Sequence, residues 1–209
     1  MQTLSIKTNE RLYITGQTGS GKTYLAKGLL SSVNRLVVLD GKGTLGNWGL
    51  LEWNWDSKRK LRREQPARIR VLPPIGEKDL TEFWNDILYE CFHIGDLLIY
   101  IDEIYSVAIP GKNPPDGLWT VYTRGRELGV GVWGVSQRPA WTPIFTMSES
   151  DVFACFRLQL EEDRKRMSAF MGPQVLEKPD DKYGFHIMRN DWEDPVYISK
   201  YTGKILSIA

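Results

Sequence analysis

The chain has few of the residues from which metal cages and disulfide scaffolds are built. Its 209 residues include two cysteines and two histidines. Cys91 and Cys155 lie far apart in apolar segments without metal-ligand spacing, so buried free thiols in a reducing compartment are expected. His93 and His186 have no partners at metal or catalytic spacing and are expected to be structural. Net charge is also missing, since 27 Lys and Arg stand against 26 Asp and Glu. That balance excludes a global basic field drawing the chain onto nucleic acid. Any DNA contact then needs local patches, or a surface assembled from several copies. No apolar run approaches the roughly 18 residues of a membrane span, and Met1-Gln2-Thr3 opens no signal sequence. A soluble, intracellular protein is expected. Internal repeats and low-complexity tails are lacking, and the length suits one domain, residues 1–209, with a sizeable core.

What the chain does have is a glycine pattern in a telling place. Residues 16–23 read Gly-Gln-Thr-Gly-Ser-Gly-Lys-Thr, after the apolar run Leu12-Tyr13-Ile14 and before a helix start at Lys22-Thr23-Tyr24. Strand, glycine-rich loop and helix are the context in which such a pattern binds phosphate. Gly16, Gly19 and Gly21 allow backbone conformations closed to other residues, so N–H groups from Gly16, Gln17, Thr18, Gly19, Ser20 and Gly21 can converge on phosphate oxygens. The following helix adds its positive end. Lys22 would reach the β- and γ-phosphates of a nucleoside triphosphate such as ATP, and the Thr23 hydroxyl would hold Mg²⁺.

Strands are expected at 35–40, 67–72, 97–101, 130–135 and 152–158, and helices at 77–93, 116–128 and 161–171. Residues 41–67 read as irregular. Alternating segments near 183–189 and 196–201, joined at Asn190-Asp191, predict a terminal β-hairpin. Strands alternating with helices give an α/β domain with a mostly parallel central sheet flanked by helices. Ligands bind such sheets at the carboxyl ends of the strands, where the phosphate loop, Asp40, Asp102-Glu103 and Gln137 all fall.

Asp102 follows a buried apolar strand, the position of an acidic residue that places Mg²⁺. Glu103 is then the candidate general base for an attacking water. Gln137 ends the next strand. If that strand lies between the other two, its amide can sense the γ-phosphate; a solvated turn is the alternative.

Residues 123–139, Thr-Arg-Gly-Arg-Glu-Leu-Gly-Val-Gly-Val-Trp-Gly-Val-Ser-Gln-Arg-Pro, resemble the signature of the FtsK–HerA superfamily of DNA-translocating P-loop ATPases. Asp40-Gly41-Lys42 is similar to that family's Asp-x-Lys element, and the likeness runs over residues 11–165. In size the chain is similar to genome-packaging ATPases of membrane-containing double-jelly-roll viruses. The resemblance implies an ASCE/RecA-like P-loop NTPase fold and Mg²⁺-dependent ATP hydrolysis driving double-stranded DNA into a procapsid. It further implies a homo-oligomeric ring, often hexameric, capsid or portal partners, and a place in the host cytoplasm or virion. In such rings an arginine from the neighbouring subunit completes each site; Arg124 and Arg126 are the candidates, with Arg157 a third. Surface ion pairs are the alternative for each.

Lys58 to Arg63 carries five basic residues in six positions, with Arg68 and Arg70 nearby. This run could bind backbone phosphates or be a solvated face. Trp48, Trp53 and Trp55 beside it could stack on bases or pack at an interface. The loop at 109–116, with Lys112, suits a pore loop or a plain surface loop. Two other functions fit parts of the pattern: a zonula-occludens-toxin-like phage assembly ATPase, and a nucleotide-gated scaffold with slow hydrolysis.

Overall fold

The computed structural model describes residues 4–46, 48–76, 79–202 and 206–208. The chain opens with β1 (Leu4–Ile6) and β2 (Arg11–Thr15), then α1 (Lys22–Leu30) and β3 (Arg35–Leu39). Next come β4 (Leu51–Glu52), α2 (Trp55–Arg62), β5 (Ala67–Val71), α3 (Thr81–Ile94) and β6 (Leu98–Ile101). After short α4 (Ile104–Val107), α5 (Asp116–Arg124) tightens into a 3-10 turn, Gly125–Leu128. The chain continues through β7 (Gly131–Ser136), α6 (Phe145–Ser148), β8 (Val152–Phe156) and α7 (Glu161–Met171). It ends with β9 (Phe185–Arg189), β10 (Val196–Ile198) and β11 (Leu206–Ile208).

Nine strands form one sheet in the order β10-β9-β8-β2-β7-β6-β3-β5-β4, parallel except that β9 runs against β8 and β10 against β9. The expected hairpin is therefore present, and it extends the sheet. A separate parallel pair joins β1 to β11. Every residue of β2, β6, β7 and β8 is buried, because helices cover both faces and leave no strand side for water. Alternate residues feed two cores. Tyr13, Val37, Leu39, Ile99 and Ile101 face the side packed by α3, α5 and α7, with Trp84 and Val121. Leu12, Ile14, Leu36, Val38 and Leu98 face α1, with Leu25 and Leu29. Truncating one such side chain to alanine would cost about 2–5 kcal/mol.

Strand β7 lies between β2 and β6, the order that a γ-phosphate sensor at its end requires. Its close fit depends on Gly131, where a Cβ would stand 1.9 Å from the Thr8 carbonyl oxygen. The stretch 41–67 is not irregular throughout, as expected, but contains β4 and α2. Helix α2 buries only Ser57 and Leu61, so no apolar period announced it. Its start is fixed instead by a reciprocal cap, Asn54 accepting from the Ser57 N–H (2.9 Å) and Ser57 accepting from the Asn54 N–H (3.0 Å). Helix α3 begins at Thr81; the expected start at 77 lies outside the described residues. Both cysteines are buried and free, and burial pushes the Cys155 thiol up to about 12. His93 Nδ1 sits 2.7 Å from the Tyr89 carbonyl oxygen, and the His186 ring packs against Tyr197. No helix among the described residues is long and apolar enough to cross a membrane.

Candidate active site at the carboxyl ends of the strands

The loop from Gly16 to Gly21 is pinned to two strand ends. Gly16 N–H donates to the Ser136 carbonyl (3.2 Å) at the end of β7, and Gln17 N–H to the Arg157 carbonyl (2.8 Å) past β8. Gly16 lies at φ +152, and a Cβ there would come within 2.5 Å of Phe156 Cβ, so any other residue would push the loop off β8. Gly21, at φ +108, caps α1. The Lys22 ammonium is buried and donates to the carbonyls of Gly16 (2.7 Å) and Gln17 (2.8 Å). Burial lowers its pKa to about 8, opposed by Glu103 and Asp102 and assisted by Lys42. A cation is thereby held inside a ring of loop backbone, where developing or bound anionic charge lowers its energy. Thr23 is exposed in the first turn of α1.

Two carboxyl groups face this loop from the end of β6. Asp102 accepts from the Tyr100 hydroxyl at 3.2 Å. Burial raises its pKa, with the charge of Asp40 adding to the rise, while Tyr100, Lys42 and Lys22 oppose it. Glu103 is 2% exposed. It accepts from Lys42 Nζ at 3.4 Å and from the Gln137 N–H at 3.3 Å. Burial raises the Glu103 pKa despite these donors, which makes the carboxylate a better proton acceptor.

Lys42 reaches Glu103 because the turn after β3 is tightly seated. Gly41 lies so close to α4 that a Cβ would meet Ser106 Oγ at 2.1 Å. Asp40, fully buried, accepts from the N–H groups of Thr44 (3.2 Å) and Leu45 (3.1 Å), from Arg70 Nε (2.9 Å) and from Arg70 Nη2. Lys42 Nζ also donates to the Tyr105 hydroxyl at 2.8 Å. Lys42 and Arg70 were not among the expected site residues. The Asp-x-Lys spacing was the available signal for Lys42; for Arg70 there was none, because only the fold brings β5 beside β3.

Gln137 links the two halves of the site. Its side-chain oxygen accepts from Thr18 Oγ1 in the phosphate loop at 2.8 Å, while its own N–H binds Glu103. One residue thus touches both the phosphate loop and the candidate base. The adjacent Arg138 turns away, over the Trp141 ring (4.1 Å) and onto buried Asp163 (2.8 Å), which fixes the start of α7.

Arg124 and Arg126 are not brought into this site. Both lie before β7, at the opposite end of the sheet from Gln137. Arg124 is exposed with its guanidinium over Phe92 (5.7 Å), and Arg126 pairs with Asp151 beside the start of β2. Arg157 stands next to the phosphate loop, held there through its carbonyl. Arg68 is spent on the carbonyls of Leu30 (2.6 Å) and Val33 (2.7 Å), and Arg70 on Asp40. On α2 and at its C-terminal cap, Arg59, Lys60, Arg62 and Arg63 are exposed, and Arg62 pairs with Glu90 (2.6 Å). Trp48 and Trp53 are partly buried against the cores, and Trp55 is 65% exposed. Lys112 makes an exposed ion pair with Asp79 at 3.4 Å.

No family model matches the chain. It is 30% identical over 178 residues to the DNA packaging ATPase P9 of Enterobacteria phage PRD1, covering 81% of this chain and 73% of the phage protein. Among solved structures it is similar to the genome packaging NTPase B204 of Sulfolobus turreted icosahedral virus 2 in complex with ATP-gammaS. That likeness has a TM-score of 0.74 at 16% identity, over 94% of this chain and 100% of the other. The N-terminal domain of zonular occludens toxin from Neisseria meningitidis is a more distant fold neighbour, with a TM-score of 0.51 at 15% identity over 92% and 93% of the two chains. With that phage relative and this P-loop fold, the chain belongs to the FtsK–HerA-like viral genome-packaging ATPases.

Proposed function

We propose that the protein is an ATP-hydrolysing motor that moves double-stranded DNA into a viral procapsid. The contact that carries this reading is Gln137, bound at once to Thr18 and Glu103. A residue so placed can couple the state of the phosphates to the position of the base. The phosphate loop holds the triphosphate, with Lys22 on the outer phosphates. Glu103 takes the proton from water as its oxygen attacks the γ-phosphorus, the bond from that phosphorus to the bridging oxygen of the β-phosphate breaks, and ADP and inorganic phosphate leave. The name of the phage relative supports packaging rather than toxin-type assembly or slow scaffolding.

Magnesium fits the residues present. The described residues bring no group of three or more His, Cys, Asp or Glu together as a metal site, and Mg²⁺ needs none, because it keeps several waters and binds through one or two protein oxygens plus phosphates. Asp102, with a proton affinity raised by burial and by Asp40, and Thr23 at the head of α1 offer that set. When bound, the ion would offset the negative charge of the phosphates, with Asp102 and Thr23 holding it.

Arg124 and Arg126 cannot serve their own subunit from the far end of β7, which supports a role in a neighbour and hence a ring, hexameric by family resemblance. Mixing tests this. Lys22→Ala subunits, lacking a working site, should restore hydrolysis to Arg126→Ala or Arg124→Ala subunits only if the arginine acts between subunits. DNA would meet the exposed basic side chains Arg59 and Lys60 of α2 and Arg63 at its C-terminal cap. The central test is ATP hydrolysis with and without linear double-stranded DNA, beside Glu103→Gln. DNA stimulation lost in the variant supports the motor; DNA-independent hydrolysis overturns it.

A further inference from the structure

Arg11, the first residue of β2, is 4% exposed. Its guanidinium nevertheless makes no hydrogen bond or ion pair among the described residues, and its Nε is buried without an acceptor. The fully buried Tyr122 hydroxyl, near enough to feel the Arg11 charge, also lacks a partner. Folds rarely leave buried polar groups in that state, and a buried charge without a bound counter-charge is costlier still. We infer that Arg11 is a second cation behind Arg126, and that the two guanidiniums serve the triphosphate of a neighbouring copy. This rests on the reading that an arginine before β7 acts between subunits; it assigns Arg126 rather than Arg124 and adds Arg11 and Asp151.

Alternation along β2 puts Arg11 on the face of Tyr13, the one packed by α5. The Arg11 N–H donates to Asp151 Oδ2 (2.8 Å) and the Asp151 N–H to the Arg11 carbonyl (2.9 Å), which fixes the carboxylate at the start of β2. The other Asp151 oxygen accepts from Arg126 Nη2. One carboxylate thus stands between two guanidiniums and binds only that of Arg126. Burial lowers the Arg11 pKa and Arg126 lowers it further, with Asp151, exposed Glu149 and Tyr122 opposing. Glu10 is engaged elsewhere, by Arg189 and the Lys7 N–H. The turn carrying Arg126 is rigid: the Val130 N–H donates to the Gly125 carbonyl (2.8 Å), and a Cβ on Gly125 would come within 3.0 Å of the Val130 carbonyl oxygen. From that base the Arg126 side chain is 52% exposed. Arg124 instead lies over the Phe92 ring, with no second cation behind it.

The occupant follows from the charges. Guanidinium forks match carboxylate and phosphate oxygens, and Asp151 shows that one carboxylate leaves Arg11 unpaired. A triphosphate has the charge for both arginines. The chain's own triphosphate would lie at the opposite end of the sheet, so the one received here belongs to another copy. Asp151 holds Arg126 in place until it arrives. Arg11 acts through Arg126 as a positioning residue, its charge adding to the attraction in surroundings of low dielectric.

ATP hydrolysis by the full chain at saturating linear double-stranded DNA, with mixing of Lys22→Ala subunits, tests this. Arg11→Met should lower kcat at least about tenfold. Lys22→Ala subunits should restore it, because they offer an intact Arg11 and Arg126 to the variant's working phosphate loop. The melting temperature should hold or rise, since replacing a buried charge by an apolar chain of similar volume is often neutral or stabilising. Arg11→Met combined with Arg126→Ala should be no slower than Arg126→Ala alone. Unchanged hydrolysis in Arg11→Met, a loss that Lys22→Ala subunits do not restore, or a slower double variant overturns the assignment. So does a melting temperature more than about 4 °C below wild type, or failure to fold, which would make Arg11 structural. Failure of the between-subunit reading looks different: Arg126→Ala then hydrolyses like wild type, or is itself not restored by Lys22→Ala subunits.

Discussion

Glu103→Gln separates a catalytic carboxylate from a structural ion pair. The substitution keeps the side chain's shape and an acceptor for the Gln137 N–H, and removes only the charge. As the general base, Glu103 should contribute about 10²–10⁴ in rate, so kcat should fall by that factor while ATP affinity holds. Stability should scarcely move. The pair with Lys42 is 3.4 Å long and its lysine is 32% exposed, which places its contribution at about 0–1 kcal/mol. Against this stands the burial that raises the Glu103 pKa, disfavouring the carboxylate in the fold. The net change should keep the melting temperature within about 4 °C of wild type for a chain of this size. The pH sign follows. A folded pKa raised above the unfolded one gives stability that is present in acid and lost as pH rises through the folded value. Glutamine escapes that loss, so the variant's melting temperature minus that of wild type should grow from about pH 4 to about pH 7. Phosphate release, calorimetric ATP binding and thermal melts read all three. A variant retaining more than about a tenth of the wild-type kcat would refute Glu103 as base. A fall of much more than about 4 °C would make the residue a structural partner of Lys42.

Arg70→Ala should cost about 3–5 kcal/mol, because it strips the side-chain partner from a fully buried Asp40; denaturant melts read this, and Arg70→Lys should recover only part. Gly131→Ala should cost about 3 kcal/mol or more, since its new Cβ would stand 1.9 Å from a backbone carbonyl that cannot swing aside, whereas Gly46→Ala, with open space around it, should melt like wild type. For Lys22→Met the melting-temperature difference from wild type should be most positive near neutral pH. The lysine's pKa is depressed to about 8, so its charge burdens the fold at lower pH and that burden fades as pH rises toward the ordinary lysine range; a difference that is flat with pH would show that the ammonium is not desolvated.

The central parallel strands β2, β3 and β6 were legible because each holds a run of apolar residues that stops at a polar loop or an acidic residue, as at residues 98–103. The phosphate loop and Asp102-Glu103 could be read from local order alone. Helix α2 could not, because its period is polar and its cap is a side-chain pair, Asn54 with Ser57. Nor could Arg70, whose role comes from the neighbouring of β5 and β3. Arg68 and Arg70 stood near the basic run in the sequence, yet the fold turns Arg68 Nη1 onto the Leu30 and Val33 carbonyls and Arg70 onto Asp40. The pairing of β1 with β11 likewise depends on segments about 200 residues apart, a closure that no local pattern encodes.

Trp48 packs against Tyr100 with ring centroids 5.8 Å apart, and the hydroxyl of that tyrosine binds Asp102. The indole therefore lies one phenol away from Asp102, with Lys27 Nζ 6.0 Å from its own ring centroid. An indole excited state carries a large dipole, so a change of charge at Asp102 reaches it as a shift in emission colour. Among the eight tryptophans, Trp48 is the one that this chain of contacts places to report such a change.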